Sequence, residues 1–411
     1  MSELDDFLAW ARGGPAESSG AFTIDAEGAL AKLSGHQLAN RGMWLIKMVQ
    51  AAVAGGAPSI QIDLSGHEVE VRFLASDRLK ADHILDLMTT GQLPSSRWQR
   101  HLLVALRAAY GQNPSLMAWS APGGGSIRLA GKQFERGDQS DPNLYSFLVR
   151  VPGRWLRQAD EYSLLCQRCW LCPVPLLVNG QRTNTTFPPR LPIKGDNIYL
   201  ATATLASGGD SFEADLSPPQ GERVAPQLFV HKTPSLNECF LYHGPEQPGR
   251  QSVRGLVAID TSLGAKAELV YVKDGALLDP IPLPLRPSRL NLRVYLSGNQ
   301  YKTDLSEMKL LDVSLPTVWA ELRPQLLQLA RQTLDYLPAI RIQYRPVRSW
   351  LPWLLAFGLM AGNAWDSMGA FTPLAAAGLG VLSSKGLRYT EPDHRLAERL
   401  EHLIDQLEEQ E

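Results

Sequence analysis

The stretch 44–71, WLIKMVQAAVAGGAPSIQIDLSGHEVEV, decides how the first part of this chain is read. An apolar run reaches Ala54 without a breaker, Gly55-Gly56-Ala57-Pro58 interrupts it, and SIQIDL and HEVEV then alternate apolar with polar residues. A long apolar run stopped by paired glycines predicts a helix with a tight exit, and period-two alternation predicts short half-buried strands. Working outward, RHLLVALRAAY at 100–110 predicts a second helix with an apolar stripe, so a mixed sheet covered on one face by two helices is expected.

This helix–turn–strand order and its spacing resemble the nucleotide-binding module of the GHKL (Bergerat-fold) ATPases. That superfamily includes DNA gyrase, the mismatch-repair ATPase, histidine kinases and the ninety-kilodalton heat-shock chaperones. Its helix carries a Glu that activates water, an Asn four positions on that ligates Mg²⁺, and often an Asp three further, ahead of an Ala-Gly-Ala turn. With Gly55-Gly56-Ala57 as the turn, Lys47 stands at the Glu position, Ala51 at the Asn position and Ala54 at the Asp position. Lysine cannot serve as a carboxylate base, and alanine offers no oxygen to a hard cation.

The superfamily's next motif, Asp-x-Gly-x-Gly, reads adenine with the Asp. The same register gives Phe73 for that Asp and Ala75 and Asp77 for the glycines. Phenylalanine would fill an adenine site, and an anion beside the nucleotide would repel phosphate. The third motif, a Gly-x-Gly at a helix start that donates backbone N–H groups to phosphate, falls on Leu103 and Ala105. The resemblance therefore implies a degenerate domain with no catalytic residue, no nucleotide cofactor and no bound Mg²⁺, its nucleotide space filled by Ala51, Phe73, Leu103 and Ala105.

The fold class expected for the whole chain is α+β. Residues 1–19 form an N-terminal tail, 20–185 the GHKL-like α/β sandwich, 186–340 an αβ unit resembling the transducer domain of the same ATPases, 341–384 an apolar helical hairpin and 385–411 an amphipathic C-terminal helix. Asn179-Gly180 marks a hairpin at the end of the first unit. Strands are expected in LFVH, RGLVAID, AELVYVKDG and NLRVYLSG, and a helix over 317–337 with apolar residues at Val318, Leu322, Leu326, Leu329 and Leu337. Active relatives send a transducer lysine or arginine to the terminal phosphate. Lys273 and Lys302 are the candidates here, and both read more simply as solvated surface lysines.

Balanced charge, 40 Lys and Arg against 42 Asp and Glu, gives no global electrostatic case for a nucleic-acid partner. The N-terminus, MSELDDFLAW, lacks the basic and apolar regions of a secretory signal, so a cytoplasmic setting is expected. Cys166, Cys169 and Cys172 lie close together, and Cys239 with His243 could complete a zinc set. The place of Cys166 and Cys169 at the apolar end of a helix favours core packing over metal. Ser126 follows three glycines in WSAPGGGSIRL, where a hairpin turn is the simpler reading than a phosphate loop.

The run 350–383 holds only Asn363 and Asp366 as ionisable or amide side chains and is flanked by Arg345, Arg348, Lys385 and Arg388. That pattern fits a hairpin touching the inner face of a membrane, or one buried against protein; each half is short of the roughly 20 residues that a span needs. Leu396, Leu400, Leu403 and Leu407 then form a stripe that expects either the body of the fold or a protein partner. Together these features lead to a catalytically silent scaffold or assembly subunit of a bacterial multi-protein system. The alternatives are an ATP-dependent chaperone-like protein with displaced catalytic groups and a membrane-tethered docking protein.

Overall fold

Helix α1 (Met43–Ala54) is buried on every side over residues 43–52, as expected of a helix apolar all round. It ends where its sequence loses side chains. Gly55 N–H donates to Ala51 O and Gly56 N–H to Val53 O, and Gly56 takes φ +75°, the left-handed exit that glycine allows without strain. The computed structural model describes residues 42–343 and 393–409, apart from 90–93, 131–132, 138–140, 142, 153–157, 188–197, 207–209, 218–220, 226–227, 232–240, 262–265, 287–289 and 305–307. Among these residues the chain is mixed α+β with six helices and several sheets.

The first sheet has eight strands: β1 (Ile60–Leu64), β2 (Glu68–Phe73), β3 (Leu116–Ser120), β4 (Ser126–Ala130), β5 (Gln133–Gly137), β6 (Tyr145–Arg150), β7 (Leu176–Val178) and β8 (Gln181–Arg182). Their spatial order is β5-β4-β3-β6-β2-β1-β7-β8, antiparallel except for the β1–β7 pair. Alternation sends Ile60, Ile62, Val69, Val71, Trp119 and Phe147 into the core, while polar residues such as Asp63 and Arg72 pair on the opposite face. Helix α1 and α3 (Arg97–Tyr110) pack side by side on the buried face, with α2 (Ala81–Thr89) against α3 and α4 (Gln158–Arg168) against α1.

Strands β9 (Ile198–Leu205), β11 (Gly221–Ala225), β12 (Leu228–His231), β13 (Leu241–His243), β15 (Gly255–Thr261), β16 (Ala267–Lys273), β17 (Ala276–Leu277), β18 (Ile281–Pro282) and β19 (Asn291–Ser297) form the second sheet. Its order is β11-β12-β13-β9-β15-β19-β16-β17, with β18 also on β16; β9–β13 and β16–β19 are parallel. A separate ribbon pairs β10 (Phe212–Leu216) with β14 (Gly249–Val253). Central β15 and β19 are buried on both faces, and the polar residues they carry there, Asp260 and Asn291, pair with each other.

Helix α5 (Leu315–Gln343) packs on β9 and β13, and α6 (Asp393–Glu409) packs on α5. The expected boundary at Leu337 is overrun, because the helix continues through Pro338 as it does through Pro324. Leu396, Leu400, Leu403 and Leu407 are buried within this chain, so the stripe expected to meet the fold or a partner is packed inside the fold. Among the described residues no helix is long and apolar enough to cross a membrane. The N-terminal tail 1–19 and the apolar run 350–383 lie outside the described residues.

Candidate functional site

The turn after α1 and the loop after β2 meet beside the C-terminal end of α1. A Cβ placed on Gly55 would lie 3.1 Å from Ala75 Cβ, and Ser76 N–H donates to Gly55 O at 2.8 Å. The turn after α1 and the loop after β2 are thus held together. Leu103 and Ala105 lie on α3, which packs along α1.

Ala51, Phe73, Ala75, Leu103 and Ala105 are all buried members of one hydrophobic core. Phe73 stacks on Phe147 at 5.7 Å between ring centroids and lies 5.9 Å from Tyr145, which is itself 5.9 Å from Trp98. Such aromatic contacts add about 0.5–1.5 kcal/mol each beyond burial. Lys47 is fully buried, Ala54 only partly so.

Asp77 is exposed and serves the loop. Its Oδ2 accepts from Trp98 Nε1 at 3.0 Å, and its backbone carbonyl accepts from Tyr145 Oη at 2.9 Å. Leu79 N–H in turn donates to Tyr145 Oη at 2.6 Å. Burial pushes the Tyr145 phenol above its usual range, which keeps it neutral and able to hold both contacts.

A second convergence joins the two sheets and was missed in the sequence. Asp274 and Gly275 form the two-residue turn between β16 and β17, with φ +47° and +78°. This turn enters the first unit. Asp274 Oδ2 lies 2.9 Å from His101 Nε2 and its Oδ1 3.0 Å from Arg97 Nη2, both on α3, while Gln50 Nε2 on α1 donates to Lys273 O at 3.0 Å. The Asp274 and His101 side chains are 2% and 1% exposed, so this is a buried pair. The Asp-Gly dipeptide between alternating runs signalled the turn, but nothing local signalled what it would enter.

Lys273 corrects an expectation. Read as a solvated surface lysine, it is buried, and its Nζ donates to Tyr301 O at 3.2 Å and Thr303 Oγ1 at 3.4 Å. Both partners lie within its own unit. Lys302 is exposed, as read.

Cys169 and Cys172 are buried and Cys166 is half-buried. Burial raises all three thiols, that of Cys172 to about 12, which leaves them protonated and unreactive at neutral pH. His243 is half-buried on β13, and burial lowers its pKa; Cys239 lies outside the described residues. Among the described residues no group of three or more His, Cys, Asp or Glu could hold a metal ion. Gly123 and Gly125 take φ +60° and +80° in the turn of the β3–β4 hairpin, which places Ser126 at the start of a strand. No protein-family model matches this chain, and no curated protein matches it.

Proposed function

We propose that this chain is a nucleotide-silent, GHKL-like scaffold or assembly subunit, with a degenerate α/β sandwich followed by a transducer-like αβ unit. The observation that carries the reading is the sealed core at Ala51, Phe73, Ala75, Leu103 and Ala105. Of the positions to which the family resemblance assigns nucleotide chemistry, these five are buried and apolar, Lys47 is buried and Asp77 is exposed. Opening such a core to admit an adenine and phosphates would expose aromatic and aliphatic surface at about 25 cal/mol per Å². A domain of this kind contributes shape and contact surface, so its expected partner is another protein.

Calorimetry and thermal shift with ATP, ADP and Mg²⁺ test this on the full chain. Unchanged melting at millimolar nucleotide is expected. Mg²⁺-dependent stabilisation would overturn the reading in favour of a chaperone-like ATPase whose catalytic groups stand elsewhere than Lys47, Ala51 and Phe73.

A further inference from the structure

The turn between α4 and β7 lies at the seam between the two sheets and sorts its side chains between two cores. Cys169 and Cys172 are buried in the larger core, which residues of both sheets build, while Leu171 and the half-buried Trp170 pack into the smaller one. Trp170 meets Tyr295 of β19 edge-on, at 5.5 Å between ring centroids. The two cysteines therefore face one side of the turn, and the two residues between them face the other.

Backbone geometry brings the cysteines within bonding reach. Cys169 N–H donates to Leu165 O at 2.8 Å, continuing the pattern of α4, and Cys172 N–H donates to Cys169 O at 3.0 Å. A turn closed by such an i to i+3 bond holds its end Cα atoms within about 7 Å, and a disulfide spans about 4.4–6.8 Å. Thr185 N–H donates to Trp170 O at 3.0 Å and Asn184 Nδ2 to Cys172 O at 2.8 Å, so the chain after β8 holds the turn in place.

We infer that Cys169 and Cys172 are a dithiol modification site, at which a peroxide forms a disulfide across the turn while both sheets stay folded. One thiolate attacks the peroxide, breaks its O–O bond and becomes a sulfenic acid; the second sulfur then displaces the hydroxyl group. Two S–H bonds and one O–O bond are broken, one S–S bond forms, and the peroxide leaves as two waters carrying both thiol protons and both electrons. Burial holds the two thiols protonated, so the reaction is slow at neutral pH and quickens as pH rises. The new bond ties down the turn that carries Trp170 and Leu171 into the smaller core. This site does not depend on the nucleotide-silent reading.

Peptide mapping tests the pairing. The full chain is incubated with hydrogen peroxide at about pH 7 and about pH 9, well below its melting temperature, then alkylated and digested without reduction. Trypsin cuts after Arg168 and Arg182, which separates Cys166 from Cys169 and Cys172 and leaves those two on one peptide. That peptide is expected to escape alkylation, to be lighter by two hydrogens, and to form about tenfold or more faster at the higher pH. Dithiothreitol should restore its thiols, and the oxidised chain should melt at a higher temperature. Cys172→Ser is expected to abolish the linkage and Cys166→Ser to leave it unchanged. Oxidation confined to Cys166, a bond from either thiol to another cysteine, or closure only within the melting transition would each overturn the site. The map of the unsubstituted chain decides even where a variant fails to fold.

Discussion

Phe73 lies against Phe147 with ring planes 21° apart, joining neighbouring strands β2 and β6 beneath α1 and α3. Phe73→Ala would remove a buried ring from the centre of this core. A loss of about 3–5 kcal/mol is expected from chemical denaturation. The vacated space should not confer nucleotide binding, because Ala51 and Ala105 still supply no ligand.

Lys47→Glu would place a carboxyl group where a lysine side chain is fully buried. A buried carboxyl group without a fitted partner is expected to cost several kcal/mol, roughly, with Lys47→Met costing less. Thermal melts with and without Mg-ATP check both parts: a lower melting temperature, and no dependence on nucleotide.

Gly275 and Gly180 both take positive φ, at +78° and +75°, yet a Cβ at Gly180 meets nothing within 4 Å while one at Gly275 meets Pro173 and Val53. Gly180→Ala should cost only the backbone strain, about 1–2 kcal/mol. Gly275→Ala should cost a further 1–3 kcal/mol, roughly, from overpacking. Equal losses in denaturant titrations would mean that the seam yields to the added methyl group.

Asp260 is buried on β15, where desolvation raises its pKa more than Arg293 and the hydrogen bonds from Asn291 lower it. A raised folded pKa contributes stability below the unfolded value near 3.8 that is lost as pH rises through the folded value. Asp260→Asn keeps an acceptor for Asn291 and removes that loss. Unfolding titrations from pH 3 to 7 should show the variant no less stable than wild type at neutrality, with a flatter pH profile.

Leu400 and the Arg331–Glu408 pair test what holds α6. Leu400 is fully buried, whereas the ion pair, at 2.6 Å, is about half exposed. Leu400→Ala is expected to cost about 2–5 kcal/mol and Arg331→Ala less than about 1 kcal/mol. Hydrogen exchange across 393–409 separates local detachment of the helix from global loss.

Local sequence carried much of this fold. The paired glycines after Ala54, the Asn179-Gly180 turn and the alternation in AELVYVKDG were readable because chain geometry at those points depends on nearby residues. The neighbours of β6 were not, since its place between β3 and β2 follows from pairings more than 25 residues away on one side and about 75 on the other. The leucine stripe of α6 was visible as a stripe, but periodicity identifies a buried face without naming what covers it. The apolar spacing that marked α5 stops at Leu337, so the turns beyond it, through the exposed Pro338 to Gln343, left no periodic signal. Lys273 and Asp274 were misjudged or overlooked for one reason: a polar turn looks solvated until the partner that receives it is known.

The pairing of α6 with α5 constrains everything between them. Residues 344–392 connect the end of one helix to the start of the other, so both ends of that segment are fixed to the same structure. Joining the two helices therefore closes a long loop, and the chain entropy given up in doing so must be offset by the packing of α6 on α5.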